Sequence, residues 1–181
     1  YQWLFDRFHT LKKEIKKEEI TTGTVVILEA DFSPTALALL LVLIDSACII
    51  VPLTSSVESQ KEGFIKIAEG EILIKLDDDD NLKISKISHE VSHEFINELK
   101  GRRHPGLVLF SSGSTGKSKA SLSDFSDILN KFKVPRHSLR TIAFLLFDHI
   151  GGINTLLYTL SNAGCVVAIN DRTPENVLRA I

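Results

Sequence analysis

Two short apolar strands separated by one helix constrain the fold of this chain most strongly. Residues 24–29 read TVVILE and residues 48–53 read CIIVPL, so neither segment alternates apolar with polar side chains. Strands of this kind are typical of parallel sheets that helices cover on both faces. Between them, Ser33 fits a helix N-cap and Pro34 fits the first helical position, which predicts a helix to about Ser46. The order strand, helix, strand therefore predicts a βαβ unit.

The same alternation continues along the rest of the chain. Helical spacing predicts helices at 4–15, 64–69, 125–132 and 153–160 and after Thr173. Apolar or alternating runs predict strands at 71–76, 82–87, 107–110, 141–147 and 165–169, the first two as a hairpin around an acidic turn. Ser121 and Asp124 have the spacing of a capping box before the helix at 125–132. The whole pattern predicts an α/β fold, a layered αβα arrangement with a largely parallel sheet.

Composition and charge exclude several classes of protein. The net charge of −2 argues against a protein that coats nucleic acid or an anionic membrane, and the longest apolar run, 36–44, is too short to span a bilayer. Cys48 and Cys165 each begin an apolar run, so we expect two buried thiols in a reducing, cytoplasmic compartment. Tyr1 and Ile181 both lie within helical patterns, and we expect a segment of a longer protein.

The strongest indication of function is a loop of small residues that follows the apolar strand at 107–110. It reads SSGSTGKSK over residues 111–119. Glycine lets the backbone approach a ligand closely, and successive backbone N–H groups can form a concave anion site. Hydroxyl groups and two lysines add donors and positive charge. The loop therefore predicts phosphate binding by Ser111, Ser112, Gly113, Ser114, Thr115, Gly116, Lys117 and Lys119. A Walker A loop fits less well, because its first glycine is replaced by Ser111 and its helix should begin at the lysine.

A second element, FDHIGG at 147–152, follows the strand predicted at 141–147. Together with the loop it resembles the adenylate-forming, or AMP-binding, enzymes, which include acyl-CoA synthetases, aryl acid ligases and adenylation domains of peptide synthetases. Their signature loop reads approximately Ser/Thr-Ser-Gly-Ser/Thr-Thr-Gly-x-Pro-Lys-Gly/Ala, and residues 111–120 match it except that Ser118 replaces the proline. The second element resembles the family's Phe-His-x-x-Gly, with Asp148 as an insertion or shift. The resemblance covers nearly the whole chain. It implies the N-terminal part of the large domain, with a first βα region at 1–104 and a phosphate-loop region at 105–181.

The resemblance implies ATP-dependent activation of a carboxylic acid. The acid, fatty or aryl, would attack the α-phosphate and release pyrophosphate, and the acyl adenylate would pass to the thiol of coenzyme A or a carrier protein, with Mg²⁺ accompanying ATP. The loop would hold the β- and γ-phosphates, with Thr115 and Lys119 as the best candidates for stabilising charge. His149 would line the junction of the ATP site and the acyl pocket. Without proline at Ser118 we expect a less rigid loop. The family's adenine-contacting segment, ribose-binding aspartate, hinge and catalytic lysine would follow residue 181, so we expect this stretch alone to be inactive.

Two other functions stay open at this point. A degenerate family member could keep the fold and act as a scaffold. Residues 89–93 also fit His-Glu-x-x-His, which on a helix can hold zinc through His89 and His93 with Glu90 as base. The motif has only three fixed letters, and Ile96 stands where its extended form has glycine. A zinc metallopeptidase is therefore a remote alternative.

Overall fold

A computed structural model of the protein describes residues 1–77, 79–87, 90–111, 118–169 and 173–180. Helices and strands alternate along the chain in the order α1 Gln2–Lys17, β1 Val25–Glu29, α2 Pro34–Asp45, β2 Ile49–Leu53, a 3₁₀ helix Ser55–Gln60, α3 Lys61–Ile67, β3 Ile72–Leu76, β4 Leu82–Lys86, α4 Glu94–Arg102, β5 Gly106–Ser111, β6 Lys119–Asp124, α5 Phe125–Asn130, β7 Arg140–Ile142, α6 Ile150–Ser161, β8 Cys165–Val167 and α7 Pro174–Ala180. No helix in the described ranges is long and apolar enough to cross a membrane.

The main sheet has six strands in the order β4-β3-β1-β2-β5-β6. The four central strands are parallel, and the edge strands β4 and β6 are antiparallel to their neighbours. Strands β7 and β8 form a separate parallel pair. The predicted α/β fold with a largely parallel sheet and the predicted βαβ unit are both confirmed, as is the hairpin of β3 and β4.

Each face of the main sheet carries its own apolar core. Side chains from α1, α2, α5 and α6 pack on one face with Val26 and Leu28, whereas side chains from α3 and α4 pack on the other with Val25 and Ile27. Successive residues of β1 therefore enter opposite cores, and all five are buried. This burial on both faces explains why the strand shows no alternation of apolar and polar residues.

Helix α2 begins where the sequence predicts. The Ser33 Oγ accepts a hydrogen bond from the backbone N–H of Ala36 at 3.0 Å, and Pro34 occupies the first turn. Leu39 and Leu40 have no exposed surface, and the burial of each such side chain stabilises the fold by about 1.5–3 kcal/mol. Capping and burial thus specify this helix together.

Strand β6 was not predicted, and it corrects the expected capping box. Residues 119–124 pair with β5, so Ser121 lies within a strand and Asp124 alone caps α5 by accepting from the Ser126 N–H at 2.9 Å. The segment contains one large apolar residue, Leu122, and lies at the edge of the sheet with no buried position. An edge strand of this composition has no alternation of apolar and polar residues from which a strand could be predicted.

Two further expectations are corrected in the C-terminal third. The strand predicted at 141–147 ends at Ile142, because the N–H of Phe144 bonds back to the carbonyl of Ile142 at 3.1 Å and bends the chain away. Cys165 is exposed, whereas Cys48 is buried as predicted. Burial, with a smaller effect of the Glu71 charge, raises the pKa of the Cys48 thiol to about 12.

Candidate functional site

A cavity of about 330 Å³ lies at the carboxyl ends of β2 and β5. Its apolar floor includes Leu53, Phe64 and Phe110, and the rings of the two phenylalanines stack at 3.9 Å between centroids. Its polar lining consists of Ser56, Gln60, Ser111, Ser118, Asp148 and His149. Ligands of open α/β sheets bind outside the carboxyl ends of the strands, so this position suits a binding site.

The two ends of the predicted phosphate loop meet at this cavity. Ser111 is the last residue of β5 and pairs directly with Lys119, the first residue of β6. Both Ser111 and Ser118 line the cavity, and the Ser118 Oγ donates a hydrogen bond to the Gln60 Oε1 at 3.0 Å. The loop connects two antiparallel strands, whereas a Walker A loop leads into a helix, so the Walker A interpretation is excluded. The remaining predicted phosphate ligands lie outside the described residues: Ser112, Gly113, Ser114, Thr115, Gly116 and Lys117.

Lys119 lies beside the cavity but not in its lining. It contributes instead to a second cavity of about 400 Å³ between α3, α4 and β6, together with His93 and Ile96. The residue is exposed, and within the described ranges it makes no ion pair. Its role in phosphate binding stays a prediction.

His149 and Asp148 enter the cavity from the start of α6. His149 is the N-cap residue of this helix, is exposed, and makes no capping bond with its side chain. The Asp148 Oδ2 accepts hydrogen bonds from the Thr54 Oγ1 at 2.8 Å and from the Ser56 Oγ at 3.4 Å. Its other oxygen is buried and has no partner among the described residues. The sequence indicates Asp148 only as an insertion or shift, yet its carboxylate connects this segment to the residues that follow β2.

Tight backbone packing also fixes the start of α6. A Cβ at Gly152 would overlap the carbonyl oxygens of Leu145 and Leu146 in the preceding turn. Only a residue without a side chain allows this contact, since the obstructing atoms belong to the backbone. Gly152 therefore determines where the start of α6, and with it His149, lies.

A buried ion cluster borders the cavity at the end of β1. Glu29 is only 8% exposed, pairs in register with Leu53, and forms ion pairs with Lys61 and with Lys75, the latter at 2.5 Å. Burial would raise the pKa of Glu29, but the hydrogen bonds and charges of the two lysines outweigh it and hold that pKa below its usual value. The two ion pairs connect the start of α3 and strand β3 to Glu29 at the carboxyl end of β1.

A larger cavity of about 580 Å³ lies between the N-terminal parts of α1 and α2 and the β7–β8 pair. Its lining is mostly apolar and includes Trp3 and Phe32, and Arg140 carries the one charged side chain among the described residues that line it. Neither end of the phosphate loop reaches it. The smaller cavity is therefore the better candidate, because hydroxyl groups, a carboxylate and an imidazole converge there.

The zinc motif does not have the geometry that it requires. Helix α4 begins at Glu94, so residues 90–93 precede it, and His89 lies outside the described residues. The His93 Nδ1 accepts from the backbone N–H of Phe95 at 3.3 Å and serves as the N-cap of α4. Across the part of the chain that the structure describes, no three histidine, cysteine or carboxylate side chains are grouped to hold a metal ion. The structure gives the zinc interpretation no support.

Comparison with known proteins identifies the family. The family model described as AMP-binding enzyme matches residues 21–181. The chain belongs to the AMP-binding, or adenylate-forming, enzyme family. No curated protein sequence matches it significantly.

Solved structures of adenylation domains share the fold. The N-terminal subdomain of Klebsiella oxytoca NpsA, in complex with 3-hydroxybenzoyl-AMSN, is similar at a TM-score of 0.73 and 18% identity over 97% of this chain and 49% of that one. An artificially fused adenylation–PCP di-domain, NpsA-ThdA from the same organism, matches at a TM-score of 0.73 and 17% identity over 98% and 39%. A variant of E. coli MenE with bound OSB-AMS matches at 0.66 and 16% over 93% and 40%. The chain spans about half the length of these structures or less, and identities this low indicate the fold alone.

Proposed function

We propose that the full-length protein activates a carboxylic acid with ATP, forms an acyl adenylate with release of pyrophosphate, and passes the acyl group to a thiol. The observation that carries this proposal is the cavity at the ends of β2 and β5. It brings both ends of the phosphate-loop sequence, Ser111 and Ser118, to the same place as His149. Membership of the adenylate-forming family makes this chemistry the first choice.

In this proposal, different residues around the cavity bind the phosphates and the carboxylic acid. The loop at 111–119 supplies hydroxyl and backbone donors for the β- and γ-phosphates, and Lys117, Lys119 and Thr115 supply the charge and the hydroxyl that stabilise departing pyrophosphate. His149 lines the same cavity as Ser111 and Ser118, and we assign it to the approach of the carboxylate to the α-phosphate. The floor of Phe64 and Phe110 keeps water from one side.

Mg²⁺ accompanies ATP in our proposal, but the described residues do not form a protein site for it. Asp148 is the one carboxylate in the described lining of the cavity, and two hydroxyl groups already bond to it. Magnesium usually reaches such sites on the phosphates, with few protein ligands and several waters. We therefore assign the ion to the nucleotide and derive no step from it.

We propose only the chemical class of the acid substrate and of the thiol acceptor. The NpsA complex contains a hydroxybenzoyl adenylate analogue, which makes aryl acids the first to test beside fatty acids. The NpsA-ThdA fusion joins an adenylation domain to a PCP, so a carrier-protein thiol is as good a candidate as coenzyme A. We place the reaction in the cytoplasm, because both cysteines are free thiols.

Exchange of radiolabelled pyrophosphate into ATP by the full-length protein tests the proposal. We expect exchange that depends on an acid from a panel of fatty, aryl and amino acids, and that falls in Thr115→Ala and Lys119→Ala. Loading of the responsive acid onto coenzyme A or onto a carrier protein then identifies the acceptor. ATP binding without exchange for any acid would favour the scaffold alternative, and neither binding nor exchange would refute the proposal.

A further inference from the structure

The 3₁₀ helix Ser55–Gln60, which is kinked at the non-helical Val57, and the preceding Thr54 together contact both halves of the candidate site. At its C-terminal end the Gln60 Oε1 accepts the hydrogen bond from the Ser118 Oγ, a residue 58 positions away in sequence. At its N-terminal end Thr54 and Ser56 both bond to Asp148, which is 94 and 92 positions away. The seven residues 54–60 thus connect the end of the phosphate loop to the segment that carries His149.

We propose that this 3₁₀ helix and the Thr54 before it form a positioning element of the active site. Gln60 restrains the end of the phosphate loop where proline is absent, and Thr54 holds Asp148 and hence the neighbouring His149. Both residues are positioning residues, since they act through groups that would face the substrates. The inference rests on the proposed adenylation reaction.

The argument for Gln60 starts from the substitution at Ser118. Proline would fix the backbone angle φ near −65° at the point where the loop rejoins β6, whereas serine leaves that angle free. Here the serine hydroxyl is bound to Gln60 at 3.0 Å, and both side chains line the cavity. A side-chain hydrogen bond thus supplies a restraint that a ring would otherwise supply.

The argument for Thr54 starts from its burial. Thr54 is 2% exposed and precedes the first residue of the 3₁₀ helix, yet its hydroxyl does not cap that helix. The hydroxyl lies 2.8 Å from the Asp148 Oδ2 and 2.7 Å from the Ser56 Oγ. The buried hydroxyl bonds to a carboxylate 94 residues away and does not cap the local helix. It therefore fixes the relative position of the two segments.

A mutant series in the full-length protein tests Gln60, with pyrophosphate exchange and the unfolding midpoint measured for every variant. Gln60→Ala should raise the KM for ATP about two- to tenfold with kcat nearly unchanged, the range expected for one hydrogen bond. Ser118→Pro removes the hydroxyl that bonds to Gln60, so the effect of Gln60→Ala on the KM should disappear in that background, and the double variant Gln60→Ala/Ser118→Pro should match Ser118→Pro alone. The control is Ser59→Ala, an exposed residue of the same helix without a side-chain partner among the described residues.

A parallel pair tests Thr54. Thr54→Val keeps the shape and removes the hydroxyl, so it should lower kcat/KM for the acid by about tenfold, whereas Thr54→Ser keeps the hydroxyl and should retain most activity. Equal activity of Thr54→Val and wild type would overturn this part.

Other outcomes separate the two proposals. A wild-type protein without acid-dependent exchange would overturn the proposed function and this inference together. Exchange in the wild type with no effect of Gln60→Ala would overturn the inference alone. If Ser118→Pro fails to fold, a cycle of Gln60→Ala and Ser118→Ala decides: additive effects on KM would refute the coupling, and non-additive effects would support it.

Discussion

The ion cluster around Glu29 gives a stability prediction of calculable size. Glu29→Gln keeps the shape of the side chain but removes the charge that pairs with Lys61 and Lys75. The Glu29 side chain is 10% exposed, that of Lys61 is 18% exposed and that of Lys75 is 49% exposed. Removing one partner of a buried pair costs about 3–5 kcal/mol, whereas an exposed pair contributes about 0–1 kcal/mol. Because Lys61 keeps Glu58 at 3.5 Å, we expect the loss to be about 2–3 kcal/mol.

Urea unfolding followed by circular dichroism measures this loss as a lower midpoint. The matched control is Asp45→Asn, which breaks the 2.5 Å pair with Lys12 on a surface where both side chains are half exposed. That variant should lose about 0–1 kcal/mol. Equal midpoints for Glu29→Gln and Asp45→Asn would refute the claim that burial increases the contribution of the Glu29 ion pairs to the free energy of unfolding.

The pH dependence of the same variant follows from the lowered pKa of Glu29. A carboxylate with a lowered folded-state pKa contributes its full stability above its unfolded pKa of about 4.3, and that contribution is lost as the pH falls through the folded-state value. The difference in unfolding free energy between wild type and Glu29→Gln should therefore be constant near neutral pH and shrink below about pH 4. A difference that grows on acidification would contradict the assignment.

Three further predictions concern single residues. Ser33→Ala should lower the unfolding free energy by about 1 kcal/mol, because it removes the N-cap of α2, and urea unfolding would detect the change. Gly152→Ala should displace the segment that carries His149 and abolish acid-dependent exchange, whereas Gly63→Ala, with no neighbour within 4 Å of the added Cβ, should leave exchange intact. A thiol reagent at pH 8 should label exposed Cys165 in the native protein and reach buried Cys48, with its pKa of about 12, only in urea; rapid labelling of both thiols in the native state would contradict the fold.

Sequence patterns predict the parallel core of this fold well, because burial leaves direct signals there. β1 and β2 are buried along their full lengths, and both read as unbroken apolar runs. The cap at Ser33 is equally visible. β6 escapes prediction because its pairing with β5 depends on a hairpin rather than on its own apolar content. The strand predicted at 141–147 is too long. The exposed Phe144 lies beyond the bend, but as an aromatic residue it continues the apolar run that predicts a strand.

Some residues of the candidate site can likewise be predicted from the sequence, whereas others are found only in the structure. Its phosphate loop and His149 are visible in the sequence, because each belongs to a motif of ten residues or fewer with a physical requirement for glycine, hydroxyl or imidazole groups. Its supporting residues Thr54, Gln60 and Asp148 are not, because they meet only through tertiary packing across 58 and 94 positions. The sequence indicates Asp148 only as an insertion or shift, whereas its hydrogen bond with Thr54 connects the segment before α6 to the end of β2.

The central claim is that adenylation takes place in the cavity between the phosphate loop and His149. A crystal structure of the full-length protein with a hydrolysis-resistant acyl adenylate analogue tests it most directly. We predict that the linkage between acyl and nucleotide parts, which takes the place of the α-phosphate, lies within contact distance of His149 in the cavity that Ser111 and Ser118 also line. Binding of the analogue in the apolar cavity beside Trp3, or in the one lined by Lys119 and His93, would contradict the account.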